Sequence, residues 1–158
     1  MKKQTTLRFS EMATSSNNVY FHCMKKISFF KERKKLKLFI EKIFKIERKE
    51  LKGLHYIFCT DEYLLKINQR FLKHDYYTDI ITFDLSETNK IYGEVYISVD
   101  RLKENAVKYN TSSSDELHRL LFHGAIHLCG YKDKTVKEKR VMTEKEDVYL
   151  KLYTNHKW

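Results

Sequence analysis

The stretch from Leu117 to Asp133 is the strongest constraint on what this chain can fold into. Leu117, Leu120, Leu121, Ile126 and Leu128 recur at helical spacing, and the run stops at Gly130, a residue type that readily takes the left-handed conformation ending a helix. Ser113, followed three residues later by Glu116, reads as a capping box at the start. The fold therefore has to house a helix with a glycine stop.

On that helix His123 and His127 stand four residues apart, so both imidazoles leave the same face one turn from each other, close enough to bind one ion. Gly130 lets the chain fold back, and Asp133, six residues after His127, is then placed to offer a carboxylate from another direction. Three protein donors with an open position is the catalytic form of a zinc site, whereas structural sites are closed by four. Histidines at this spacing also occur as partly buried core side chains. Gly124, between them, costs roughly 1 kcal/mol in a helix interior relative to Ala, so it asks for a packing or access reason and favours the metal reading. Cys129 points off the histidine face by helical spacing and is not counted as a ligand.

The run His123-Gly124-x-x-His127-Leu128-x-Gly130-Tyr131, followed by a third donor, resembles the signature of the YbeY family, metal-dependent endoribonucleases of bacterial rRNA maturation. That family has a histidine as third ligand, directly preceded by an aspartate, whereas here Asp133 stands between Lys132 and Lys134. The resemblance thus implies His123 and His127 as ligands directly and Asp133 by position, with a carboxylate in place of an imidazole. An anionic ligand offsets part of the metal's charge and leaves its bound water less acidic. Thr78-Asp79-Ile80-Ile81-Thr82-Phe83 is similar to the family's Thr-Asp-Val-Leu-Ser-Phe strand, and Tyr92 to Ser98 resembles its partner, so the two would flank the cleft. Asp79 is a candidate either to orient a ligand imidazole or to cap a turn. The family's Asn-x-x-Tyr-Arg segment reads Asn68-Gln69-Arg70-Phe71-Leu72 here, placing Leu72 where the family's catalytic arginine stands. Arg70, Lys73, His74, Lys132 and Lys134 are left as candidate phosphate contacts, each also readable as an ordinary surface residue.

What the resemblance implies is a metal-dependent, single-strand-specific endoribonuclease acting in 16S rRNA 3′-end maturation and ribosome biogenesis. It would carry one zinc or other transition ion per chain, whose activated water attacks the RNA backbone. Its partners would be rRNA and the small ribosomal subunit. Two other readings stay open. A ribosome-associated RNA-binding protein with a merely structural metal is compatible with Leu72 and Asp133. A zinc peptidase would share the histidine spacing but would need a general-base glutamate where Gly124 stands.

The rest of the chain sets this helix in a small α/β (α+β) domain. Strand-like runs begin at Val19, Leu54, Thr78 and Tyr92, and helical runs cover 32–49, 60–71, 100–110, the histidine helix and a last helix opened by the Thr135 and Glu138 capping-box pair. The order is strand, helix, strand, helix, two strands, three helices, and the resemblance implies a mixed four-stranded sheet packed by about five helices. Residues 1–18, rich in Lys, Ser, Thr and Asn, read as a mobile tail, with Met24 as another possible start, and 19–158 as one catalytic domain. No proline and only four glycines leave no linker to divide it, and no apolar run is long enough to span a membrane.

Net charge of +10 points to an acidic polymer as partner, most simply nucleic acid. Twelve Lys and Arg against four Glu fall between Lys25 and Lys52, around an amphipathic helix whose apolar stripe is Leu36, Phe39, Ile40, Ile43 and Phe44. That basic segment is an electrostatic footprint for rRNA or a solvated helix face. Cys23, Cys59 and Cys129 form no CxxC and cannot all pair, which fits buried thiols in a reducing cytoplasm.

Overall fold

A computed structural model describes residues 18–156. The order is β1 (Val19–Cys23), α1 (Arg33–Ile46), β2 (Leu51–Cys59), α2 (Asp61–Ile67), β3 (Ile80–Asp84), β4 (Ile91–Ser98), α3 (Val99–Lys108), α4 (Ser113–Leu128) and α5 (Val136–Thr154). The sheet runs β1-β2-β4-β3, with β1, β2 and β4 parallel and β3 antiparallel to β4 at the edge. This is the expected mixed sheet with five helices.

Alternation along β4 decides what lies on each side. Ile91, Val95 and Ile97 are buried in the main core with the apolar stripe of α1 and with Leu117, Leu121, Phe122 and Ala125 of α4. On the opposite side, Leu64 and Ile67 of α2 cover Cys59 and Ile81, with Phe83 and Tyr96 packed against them. Burying each large apolar side chain contributes about 1.5–3 kcal/mol, so the α1 stripe alone accounts for a large share of what fixes α1 against the sheet and α4.

Several boundaries differ from the sequence reading. Helix α1 is shorter than 32–49: Glu32 caps it in the left-handed region (φ 50°), and Arg48, also left-handed at φ 56°, turns the chain toward β2. Beyond Ile67 the helical run widens into one π-helical turn, Asn68–Leu72, closed by Lys73 at φ 58°. The cap of α4 is Ser112, whose side chain accepts from the Asp115 amide, and not Ser113. Glu116 is unavailable as the reciprocal partner because it is buried against α3. The Thr135–Glu138 capping box of α5 is present in both directions. The expected mobile tail falls on residues 1–17, outside the described residues, except for Asn18. That residue already belongs to the fold: its amide donates to Glu41 Oε1 at 3.0 Å and its carbonyl accepts from the Leu54 amide at 2.8 Å.

Candidate metal centre

Helix α4 packs directly on β4 at Gly124, whose lack of a side chain permits the contact. A Cβ at that position would stand 2.8 Å from Val95 Cγ1 and 2.9 Å from Cγ2, closer than carbon atoms approach, and Val95 is too stiff at χ1 to yield. One turn further on, Leu128 packs over Gly93 in the same way. The propensity cost of Gly124 thus goes into helix-sheet contact, which sets the depth of the histidines on either side. Gly130 then takes φ +106° and returns the chain toward α5.

The return brings Asp133 back to the histidines. Asp133 Oδ2 lies 3.2 Å from His127 Nε2 and 3.6 Å from His123 Nε2. Among the described residues, these three form the one group of His, Cys, Asp or Glu donors close enough to hold an ion, with all donor atoms within 4.8 Å of one another. Donors bound tetrahedrally at typical zinc distances sit about 3.3 Å apart; the two Asp133 distances match that spacing, and the set as a whole is close enough to converge on one ion.

The far nitrogens of both rings are engaged. His127 Nδ1 meets the Tyr131 carbonyl at 2.9 Å, and since a carbonyl only accepts, Nδ1 carries the proton, which leaves the Nε2 lone pair on the Asp133 side available to a cation between them. His123 Nδ1 meets Glu146 Oε1 at 2.6 Å, a carboxylate-imidazole pair that orients the ring in the same sense. The other oxygen of Glu146 accepts from Arg119 Nη1 at 2.8 Å, and Arg119 Nη2 reaches Asp147 at 2.9 Å. Burial opposes a charge on His123, but the Glu146 bond and charge, with Asp133 and Asp79 nearby, overcome it and raise the imidazole above its ordinary range.

The three donors line a cleft of about 690 Å³ between α4 and the β3 edge. Glu116, 5% exposed, opens into it, and burial followed by the nearby charge of Asp79 pushes its carboxyl above the usual range. Asp79 does not orient an imidazole: its Oδ2 accepts from Asn105 Nδ2 at 2.8 Å, and the orienting carboxylate is Glu146. Leu72, His74 and Lys134 also line the cleft. Arg70 and Lys132 are not among its lining residues, and the Arg70 guanidinium instead lies 5.2 Å from the Phe71 ring centre. Lys73, exposed, closes the π turn outside the cleft. Cys129 is buried in the main core, away from the donor set, where burial pushes its thiol up to about 12.

Sequence reasoning missed Glu146, Arg119 and the Tyr131 carbonyl. One signal was readable for the first: Met142, Tyr149 and Tyr153 form the buried stripe of α5, and Glu146 falls on that stripe. A carboxylate on an apolar stripe calls for a buried partner. Nothing local marks Arg119 or a main-chain carbonyl in this way.

Fold and site define a class: a small α+β domain carrying a two-histidine, one-carboxylate candidate metal centre in an open cleft. Comparison with known proteins places it further. The profile of the family described as "Endoribonuclease YbeY" matches residues 21–154. The chain is 52% identical over 135 residues to the endoribonuclease YbeY of Cytophaga hutchinsonii, covering 80% of this chain and 94% of that one. It is 47% identical over 114 residues to that of Christiangramia forsetii, covering 72% and 80%. A solution structure of a Thermotoga maritima protein superposes with a TM-score of 0.57 at 30% identity, covering 88% of this chain and 89% of that one. This chain belongs to the endoribonuclease YbeY family.

Proposed function

We propose that this chain is a metal-dependent endoribonuclease that cuts unpaired RNA, acting on the small-subunit rRNA near its 3′ end during ribosome biogenesis in the cytoplasm. Membership of a family named for endoribonuclease activity supports RNA hydrolysis. The observation that carries metal dependence is the convergence of His123, His127 and Asp133 on one point in the cleft. Zinc bound there would supply a Lewis acid that draws on a phosphoryl oxygen and acidifies water. The chain's own residues do the rest. Glu146 and the Tyr131 carbonyl hold both Nε2 atoms toward the site. Lys134 at the cleft wall is placed to meet phosphate, and a net charge of +10 favours a polyanion. Single-stranded RNA suits an open cleft better than a duplex, whose rigid A-form helix cannot bend into it.

Leu72 lines the cleft at the position of the family's arginine and is the specific observation behind a second reading, an rRNA-binding protein whose metal is structural. A peptidase has no support, because the backbone at Gly124 is pressed against Val95 and leaves no room for a general-base side chain.

Elemental mass spectrometry on wild type and His127→Ala, paired with cleavage of single-stranded and duplex RNA and of precursor small-subunit rRNA, tests the proposal. About one transition ion per chain in wild type, none in the variant, and single-strand cleavage that stops on metal removal with the fold intact is the expected result. A metal-replete protein that binds rRNA without cutting it would hand the function to the second reading. Equal, negligible metal in both proteins would remove the metal site.

A further inference from the structure

We propose that Glu47, at the far end of α1, is a positioning residue for the candidate metal centre, acting through Tyr131 on His127. The proposal rests on the metal reading of that centre. Helix α1 contributes no donor to the site, yet the residue that caps its C-terminus carries a carboxylate only 9% exposed. Three donors from elsewhere in the chain converge on it. Tyr131 Oη donates to Oε2 at 2.9 Å, Lys145 Nζ to Oε1 at 2.6 Å, and Tyr149 Oη also to Oε1. Burial works against the charge of Glu47, but these hydrogen bonds and the Lys145 ammonium overcome it and hold the carboxyl below its ordinary value.

A buried carboxylate with this many partners does more for geometry than for stability, since desolvation consumes most of the Coulomb gain. What it fixes here is Tyr131. That residue follows the left-handed Gly130, and its own amide makes only a long 3.4 Å bond to the Ile126 carbonyl. Its hydroxyl is therefore the firm anchor, and its carbonyl is the group that accepts from His127 Nδ1 at 2.9 Å. The Lys145 ammonium, 4.9 Å from the Tyr131 ring centre, clamps the same side chain. Lys145 is also the neighbour of Glu146, which holds His123. One turn of α5 thus serves both imidazoles: Glu146 reaches His123 directly, and Lys145 and Tyr149 reach His127 through Glu47 and Tyr131.

Tyr131→Phe removes the hydroxyl and leaves the carbonyl, the ring and the Lys145 contact. The two readouts are cobalt and zinc affinity by chelator competition, and the His127 ring-nitrogen shifts in the metal-free protein. Expected are a loss of ion affinity of about tenfold, the lower end of what outer-shell changes cost, and a His127 ring no longer held in the Nδ1–H tautomer. Glu47→Ala, which leaves the Tyr131 hydroxyl no acceptor on α1, should give the same pair of effects, and its double variant with Tyr131→Phe should be no worse than the more severe single one, because both cut one link. Leu64→Ala, in the cluster on the opposite side of the sheet, should lower stability while leaving both readouts unchanged. Wild-type affinity and an unchanged tautomer in Tyr131→Phe would overturn the positioning role while leaving the metal centre standing. Failure of wild type itself to bind either ion would overturn the metal centre, and the positioning role with it.

Discussion

His123 and His127 ride on α4, which is pressed into β4 at Gly124 and Gly93. Asp133 stands on the turn between α4 and α5, where Lys132, Lys134 and Thr135 are exposed and the Asp133 side chain is itself 41% exposed. The two imidazoles are held by packing of a whole helix plus a hydrogen bond each. The carboxylate is held by the course of a short turn. The helix therefore delivers two donors at nearly fixed positions, and the turn delivers a third that can adjust. A site with two rigid donors and one compliant donor tolerates a change of ligand type at the compliant place, which here is Asp133.

The contrast is broken or sharpened first by removing donors from each part. His127→Ala should abolish stoichiometric ion binding, while Asp133→Ala should leave a measurable site weakened about 10- to 100-fold, comparable to an outer-shell loss. Calorimetric titration with zinc would show it. Equal losses from both would mean that the turn is as rigid as the helix. Next, Glu146→Ala removes the carboxylate that holds His123 Nδ1 and should cost about 10- to 100-fold in ion affinity with the donors intact. An unchanged affinity would leave helix packing alone as sufficient.

A smaller effect is expected on stability. Gly124→Ala adds a methyl inside contact distance of Val95, and overpacking of about 1–3 kcal/mol should outweigh the roughly 1 kcal/mol gained in helix propensity. Chemical denaturation of Gly124→Ala, Val95→Ala and the double variant tests this. The double variant should be more stable than the sum of the singles requires, and strict additivity would remove the close approach as the reason for the glycine.

The smallest effect concerns pH. Glu47 has a depressed carboxyl in the folded protein, so its contribution to stability is present above the ordinary glutamate value of 4.5 and is lost as pH falls through the lower folded value. Wild type should therefore lose more stability than Glu47→Gln on acidification, with the two curves converging at low pH. Parallel curves in urea melts across that range would show that the Tyr131, Lys145 and Tyr149 bonds do not favour the charged form.

Much of this arrangement was readable from the chain. The helical period from Leu117 to Leu128, the histidines four apart and the Gly130 stop are local, and they give the helix, its ligand face and its end. The alternation in β4 and the Thr135–Glu138 box are local as well. The cap of α4 differs by one residue from the sequence expectation because the consecutive Ser112, Ser113 and Ser114 offer equivalent caps to sequence logic, and the burial of Glu116 against α3 favours Ser112.

By itself, then, the sequence determined the elements, their order and the three residues able to meet at an ion, because periodicity, caps and spacing act within a few residues of each other. Only the tertiary structure decided which groups hold those three residues. Glu146 reaches His123 across 23 positions and Glu47 reaches Tyr131 across 84, and contacts at such separation leave no periodic trace in the chain. They exist because α5 and the end of α1 pack against the same stretch of α4 and its turn, and buried carboxylates there need partners that only the folded chain supplies.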